Sequence, residues 1–362
     1  MPDMTALDHD AAVSSPSPAR SRDGSLNAVR EVIPASCYQR PVRRAVAALA
    51  LAVGLYVAAI AALALTDRWW LLPLLWPLAG LGVAGLFVLG HDASHGALLD
   101  NRRANLNIAR LCMLPSVHLE SAWNLGHNRI HHGYTTREGF DFVWHPVTVE
   151  QYRALGRLAR LQHRFEWSCL GSGAYFLRVV WWSKMIRFRV TDKRHRAITV
   201  DKIVVGSVLV AATAAAATWG ALSSGWVGAI WMPVKLLVVP FLLFTQIIGF
   251  TVYLHHVSPE IRWWRRREWN QFRGQMESTT VLRVPRLLNR MWFHNIFVHV
   301  PHHVDARIPF HQLPAAARAI EAAFPETVRT SKLSVRDYLR ATKTCKLYDF
   351  EDGRWLPYAA AN

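Results

Sequence analysis

Histidine gathers in this chain. His91 and His95 (HDASH), His127, His131 and His132 (HNRIHH), and His299, His302 and His303 (HVPHH) fall in three short stretches, while His255 and His256 (LHH) close an apolar run. On a helix, positions i and i+3 or i+4 share a face, so each stretch is expected to aim a pair or triplet of imidazoles at one point. Pro301 fits a helix start in which His299 or Val300 is the N-cap and the proline opens the first turn. Imidazole is a ligand suited to Zn, Cu, Fe and Ni. A zinc site closes at about four ligands, whereas the three stretches hold eight histidines, nine with His256. That is too many for one metal and suits two. Two metals held by neutral nitrogens keep a high positive charge. Such a centre favours a strongly oxidising state, suited to attack on an unactivated C–H bond, and a catalytic iron also needs an open position for dioxygen. Asp92, Asp141 and Asp305 lie near the stretches and are expected to accept the far ring N–H of ligating histidines, with a cap or a surface charge as the alternative for Asp92 and Asp305. His118, His145, His163, His195 and His311 are read as core or surface residues, and His9 is given no role.

The elements that must position these residues are apolar. Residues 45–65, 69–90, 203–222 and 236–254 each supply about 20 mainly apolar positions, the length that spans a hydrocarbon core. No polar face alternates through them, which argues against buried helices of a soluble protein. Four transmembrane helices are expected. The first run follows 44 polar residues and does not read as a cleaved leader. Arg20, Arg22, Arg30, Arg40, Arg43 and Arg44 precede it, whereas the connections 66–68 and 223–226 carry only Arg68 beside Asp67. The positive-inside rule therefore puts the N-terminus in the cytoplasm. Four crossings return residues 91–202 and 255–362 to that side, so both termini and all the histidine stretches are expected there. Lys235 is expected to snorkel to the outer interface. Segment 170–186 reads as an amphipathic helix resting on the bilayer, and Trp123 and Trp144 are candidates for lining a substrate tunnel.

Composition narrows the remaining classes. The formal charge of +17 suits cytoplasmic loops lying against anionic lipid and does not require nucleic acid. The four cysteines form no CxxC pair, so neither a disulfide framework nor a thiolate zinc site is indicated. No haem-attachment, flavin or iron–sulfur motif is present, so electrons must come from outside. A transporter would place its ionisable ligands within the spans. Here they sit at and beyond the span ends, which disfavours a non-catalytic membrane metal-binding protein.

HDASH, HNRIHH and HVPHH resemble the three histidine boxes of the integral-membrane fatty acid desaturase superfamily. The likeness runs from residue 91 to 350; "LGHNRIHHGYTTREGFDFVWHP", "FHNI" and "CKLYDFEDGRWLPY" look most like bacterial acyl-lipid desaturases of the delta-12 (omega-6) type. Two departures stand out. The second box is HxxxHH where those enzymes commonly have HxxHH, and an Asp often found just before the third box is replaced in "IFVHVPHH".

The resemblance implies an all-α membrane protein with four transmembrane helices and a cytoplasmic helical cap. A di-iron site would be held by His91, His95, His127, His131, His132, His299, His302 and His303, completed by His256, with His294 of "FHNI" standing close behind. It implies two iron ions, O2 as co-substrate, and a cis double bond introduced into a fatty acyl chain linked to lipid, CoA or a carrier protein. A ferredoxin or cytochrome b5-like donor would supply electrons. A di-iron hydroxylase or ketolase of a carotenoid or other lipid is the alternative within the same group. The expected layout is a disordered tail over 1–30, a desaturase domain over 31–350 and a C-terminal tail over 351–362, in a bacterial inner membrane.

Overall fold

A computed structural model describes residues 24–188 and 194–361. His9 and most of the expected N-terminal tail lie outside them. The described chain is mainly helical, with two small two-stranded sheets, one parallel (Val281–Arg283 with Thr330–Lys332) and one antiparallel (Leu347–Asp349 with Arg354–Leu356).

Three helical stretches are long and apolar enough to cross a membrane: Val42–Leu65, Trp69–Ser94 and Arg194–His256. The third has 63 residues and is broken by non-helical backbone at Ser224 and Gly225, where Gly225 has φ 62°. The chain folds back there. A Cβ on Gly220 would lie 1.9 Å from the Gly228 carbonyl oxygen, and Ala216 and Met232 share one apolar cluster. Glycine is required at the close approach and favoured at the turn.

The Leu72–Ser94 helix and the helix Val239–His256 run side by side in the same direction. Trp76 donates to the Lys235 carbonyl at 3.0 Å, a Cβ on Gly80 would lie 2.9 Å from Leu243 Cβ, and Phe87 packs edge-on against Phe244. Both therefore end at the same level, one carrying His91 and leading to His95, the other ending in His255 and His256. Lys235 does not snorkel. It is buried, and its ammonium donates to the Thr66 carbonyl at 2.6 Å, satisfying the end of the first apolar helix.

Segment 170–186 is helical from Ser172 to Ile186, its last eleven residues as a π-helix. It is more than a surface helix. Ser172 and Gly173 press on the last apolar helix so closely that a Cβ on Gly249 would lie 2.3 Å from the Ser172 carbonyl oxygen, and Phe176, Val180 and Met185 are buried. Two expected tails are also corrected where they are described. Leu26–Glu31 forms a helix whose Leu26 and Val29 enter one apolar cluster with Val300 and Val304. Residues 354–356 pair as a strand with 347–349, because Trp355 finds Tyr348 and the Ile261 carbonyl to pack on and donate to.

Candidate metal centre

Each histidine stretch is helical, but the helices are not all of one kind. His91 lies in the last turn of the Leu72–Ser94 helix, and His95 caps it. The second stretch forms a π-helix, Asn124–His131, in which His132 N–H donates to the His127 carbonyl at 3.0 Å. A five-residue bond puts His127 and His132 on one side and turns His131 away. The third stretch is the helix His299–Val304, with Val298 as N-cap and Pro301 third, where the missing N–H is still without an intrahelical partner.

The histidines consequently divide in a way that the spacing did not predict. His91, His95, His127, His132 and His302 bring one ring nitrogen each within 4.8 Å of one another. His131, His256 and His303 form a second such group, and His255, His256 and His299 a third that shares His256. All three stretches and the last apolar helix contribute, and the triplets at 127–132 and 299–303 are each split between groups. His118, His145, His163, His195 and His311 join none of them.

Hydrogen bonds fix which nitrogen faces inward. His303 Nδ1 meets the Gln275 amide oxygen at 2.8 Å, His299 Nδ1 the Ile296 carbonyl at 3.2 Å and His256 Nδ1 the Ser278 carbonyl at 3.1 Å. An oxygen acceptor requires N–H, so the proton is assigned to Nδ1 and Nε2 keeps its lone pair. Asp141 does the same for His131 Nδ1 at 3.0 Å while accepting the N–H groups of Thr136 and Val143. Asp92 faces His91 Nδ1 at 3.2 Å.

The inward nitrogens then crowd together. His299 and His303 approach Nε2 to Nε2 at 3.0 Å, and His91 and His127 at 2.9 Å. Two lone pairs at that separation repel unless a cation lies between them. The inward nitrogens of His95, His256 and His302 are buried with no hydrogen-bond partner, as are both nitrogens of His255. The residues present fit metal ions.

Electrostatics agree. Burial, followed by neighbouring histidines, pushes His95, His127, His132, His299 and His303 well below the ordinary imidazole range, and His302 to about 3. They stay neutral, as ligands must.

Asp92 and Asp141 stand where the sequence suggested. Asp305 instead binds Arg307 at 2.6 Å and the Tyr38 hydroxyl at 3.1 Å, and the acceptors at His303 and His256 are Gln275 and the Ser278 carbonyl. His294 adopts left-handed backbone (φ 42°) and is buried beside Phe310, with Nε2 unpartnered and outside every histidine group. His255 was missed. Its ring stacks on His299 at 3.8 Å, and the only signal was its adjacency to His256. Gln275 and Ser278 carry no motif signal.

The clusters border a narrow apolar cavity whose wall includes Phe87, Val88, Phe176, Val180, Ile248 and Val252, with His91, His127, His131, His255, His256 and His299 at one end. Trp123 lines it, stacked on His127 at 4.3 Å. Trp144 does not. It stacks on Tyr175 at 4.0 Å in a separate core with Trp167 and Tyr253.

The profile of the family described as Fatty acid desaturase matches residues 67–332. Among curated proteins, the chain is 26% identical over 336 residues to an sn-1 oleoyl-lipid 12-desaturase of Anabaena variabilis, covering 91% of both chains. It is 28% identical to a protein of the same name from a Picosynechococcus strain, covering 90% of both. It is also 27% identical to an sn-1 acyl-lipid omega-3 desaturase (ferredoxin) of a Synechocystis strain, covering 85% of this chain and 83% of the relative. A match of that extent, across the stretch that carries every clustered histidine, shows where the chain belongs: it is an integral-membrane oxidoreductase of the fatty acid desaturase family.

Proposed function

We propose that this oxidoreductase introduces a cis double bond into a lipid-linked acyl chain, as a delta-12 (omega-6) type desaturase. The observation that carries the reading is the apolar cavity lined by members of all three histidine groups. Two iron ions, when bound, supply reductive activation of O2 and removal of hydrogen from an unactivated methylene. The reaction balances as CH2–CH2 plus O2, two electrons and two protons giving CH=CH and two waters. His91, His95, His127, His132 and His302 are proposed to hold one ion. His131, His256, His299 and His303, with His255 beside them, are proposed to hold the other.

The remaining residues hold and orient. Phe87, Val88, Phe176, Ile248 and Val252 exclude water and grip the chain, each buried methylene contributing about 0.8 kcal/mol. Fixing a flexible chain against the metals selects the carbon pair that reacts. Among the described residues of the cavity wall, Lys184 is the one lysine or arginine, its ammonium 5.6 Å from the centre of the Phe142 ring. An amphiphile would place its ester or headgroup there.

Four spans are part of the proposal. The break at Ser224–Gly225 and the close approach of Gly220 to Gly228 support two crossings within Arg194–His256. Exposed Trp69, Trp70, Trp219, Trp226 and Trp231 support an interfacial belt at that end. The histidine end is then the cytoplasmic one, in a bacterial inner membrane, with residues 31–350 as the catalytic domain. Electrons would come from a ferredoxin or cytochrome b5-like protein; the Synechocystis relative is named for ferredoxin.

Gas chromatography of acyl chains, with double-bond derivatisation, tests the reading in a host that lacks polyunsaturates and co-expresses a ferredoxin system. A dienoic acid that is absent from a His302→Ala control is expected. An unchanged acyl profile from iron-loaded protein in the membrane would overturn it.

A further inference from the structure

The two halves of the metal centre differ in their access to water. In the group of His91, His95, His127, His132 and His302, three rings are only partly buried, whereas every member of the other two groups is buried. Of these three rings, His95 lines a polar cleft together with Ser94, whereas His127 faces the apolar cavity. Five guanidinium groups line that cleft, from Arg40, Arg102, Arg129, Arg194 and Arg307. Asp100 and Glu120 are the acidic residues among its lining. Both are engaged, Asp100 with Arg40 at 3.0 Å and Glu120 with the Ser94 hydroxyl at 3.1 Å. Arg102 and Arg129 project into solvent. Arg40 and Arg307 are in turn paired, with Asp100 and with Asp305 at 2.6 Å, so the positive charge at the mouth is carried by the remaining guanidinium groups, the exposed Arg102 and Arg129 foremost.

We propose that this arginine-lined cleft over His95 is the docking surface of an acidic one-electron carrier protein, with His95 the point at which electrons enter the metal centre. This rests on the desaturase reading, which requires two electrons per double bond, hence two single-electron deliveries from reduced carrier. The sequence carries no haem-attachment, flavin or iron–sulfur motif to hold such electrons. An acidic carrier is steered toward a positive cleft, and steering acts chiefly on the encounter rate. A general excess of arginine on one side of the membrane does not explain the location, because a basic face for lipid contact has no reason to concentrate over the more exposed metal cluster. Nor does a substrate headgroup fit. The cleft and the apolar cavity share no lining residue, so a lipid whose chain fills the cavity has no open route to the cleft except across the histidines.

The test uses the full chain in nanodiscs and a plant-type [2Fe–2S] ferredoxin as probe. Binding of oxidised ferredoxin is read by biolayer interferometry, which needs no turnover. Arg102→Glu with Arg129→Glu is expected to weaken Kd at least tenfold and to raise the KM for ferredoxin similarly, leaving the KM for lipid unchanged. Arg286→Glu with Arg336→Glu makes the same charge change at exposed positions elsewhere and is expected to leave both constants near wild type. Wild-type binding should also weaken steeply as salt rises, a readout that depends on no variant. Equal effects of the two pairs, or no effect of the first, would overturn the proposal. So would a raised lipid KM with ferredoxin binding intact, which would make the cleft a headgroup site. Absence of any dienoic product would count against the desaturase reading alone, since the binding result stands without it.

Discussion

A histidine serves a metal only when its lone pair is aimed and its proton is held elsewhere. Gln275 does this for His303 and also donates its amide N–H to the His132 carbonyl, tying together the two histidine groups to which these belong. Gln275→Leu removes both bonds. Iron affinity should fall roughly 10–100-fold, read as iron retained per protein after challenge with a chelator, while Gln275→Glu keeps an acceptor and retains more. His302→Ala should lose iron and all turnover yet still insert in the membrane; full iron with full turnover would refute the ligand set. The histidine boxes were legible because histidines at helical spacing are rare by chance. Gln275, the Ser278 carbonyl and the Ile296 carbonyl were not, since a lone glutamine or a main-chain oxygen leaves no pattern until the fold brings it to an imidazole.

Spacing also had a limit at the level of the helix. It suggested that His127, His131 and His132 aim at one point, but the i+4 rule assumes α-geometry, and the segment is a π-helix that sends His131 to another group. The apolar spans were legible from length alone; the fold-back at Ser224–Gly225 was anticipated by the polar break there, but Lys235 was misread because its partner, the Thr66 carbonyl, lies far away in sequence. The 172–186 helix depends on a backbone contact at Gly249, which composition does not reveal. Gly249→Val should wedge that helix away, since the clashing atom is a main-chain oxygen that has no rotamer to change. A loss of roughly 1–3 kcal/mol or more is expected, measured as a lower Tm in detergent with iron bound.

Across the whole molecule, metal, cavity and membrane must share one frame. Gly126 lines the cavity, and a Cβ there meets Phe142 and Lys184 only at ordinary contact distances of 3.6 and 3.7 Å. Gly126→Leu should therefore fold and keep iron while filling the channel, so that dienoic product is lost or its double bond is displaced, as chromatography would show. The proposed orientation predicts that Ser224→Cys, in a Cys169→Ser background, reacts with an impermeant maleimide on intact cells, whereas Glu326→Cys reacts only after lysis. The two parallel helices that end in histidines have a further consequence. Trp76 on the Lys235 carbonyl and Gly80 against Leu243 fix their relative register, and the same helices carry Phe87, Val88, Ile248 and Val252 of the cavity wall. On the proposed reading, the ruler that counts carbons is thus cut into the protein and owes nothing to the thickness of the surrounding bilayer. A host with short acyl chains and one with long acyl chains should receive the double bond at the same reckoning from the cavity end, even as the product itself alters the membrane in which the enzyme sits.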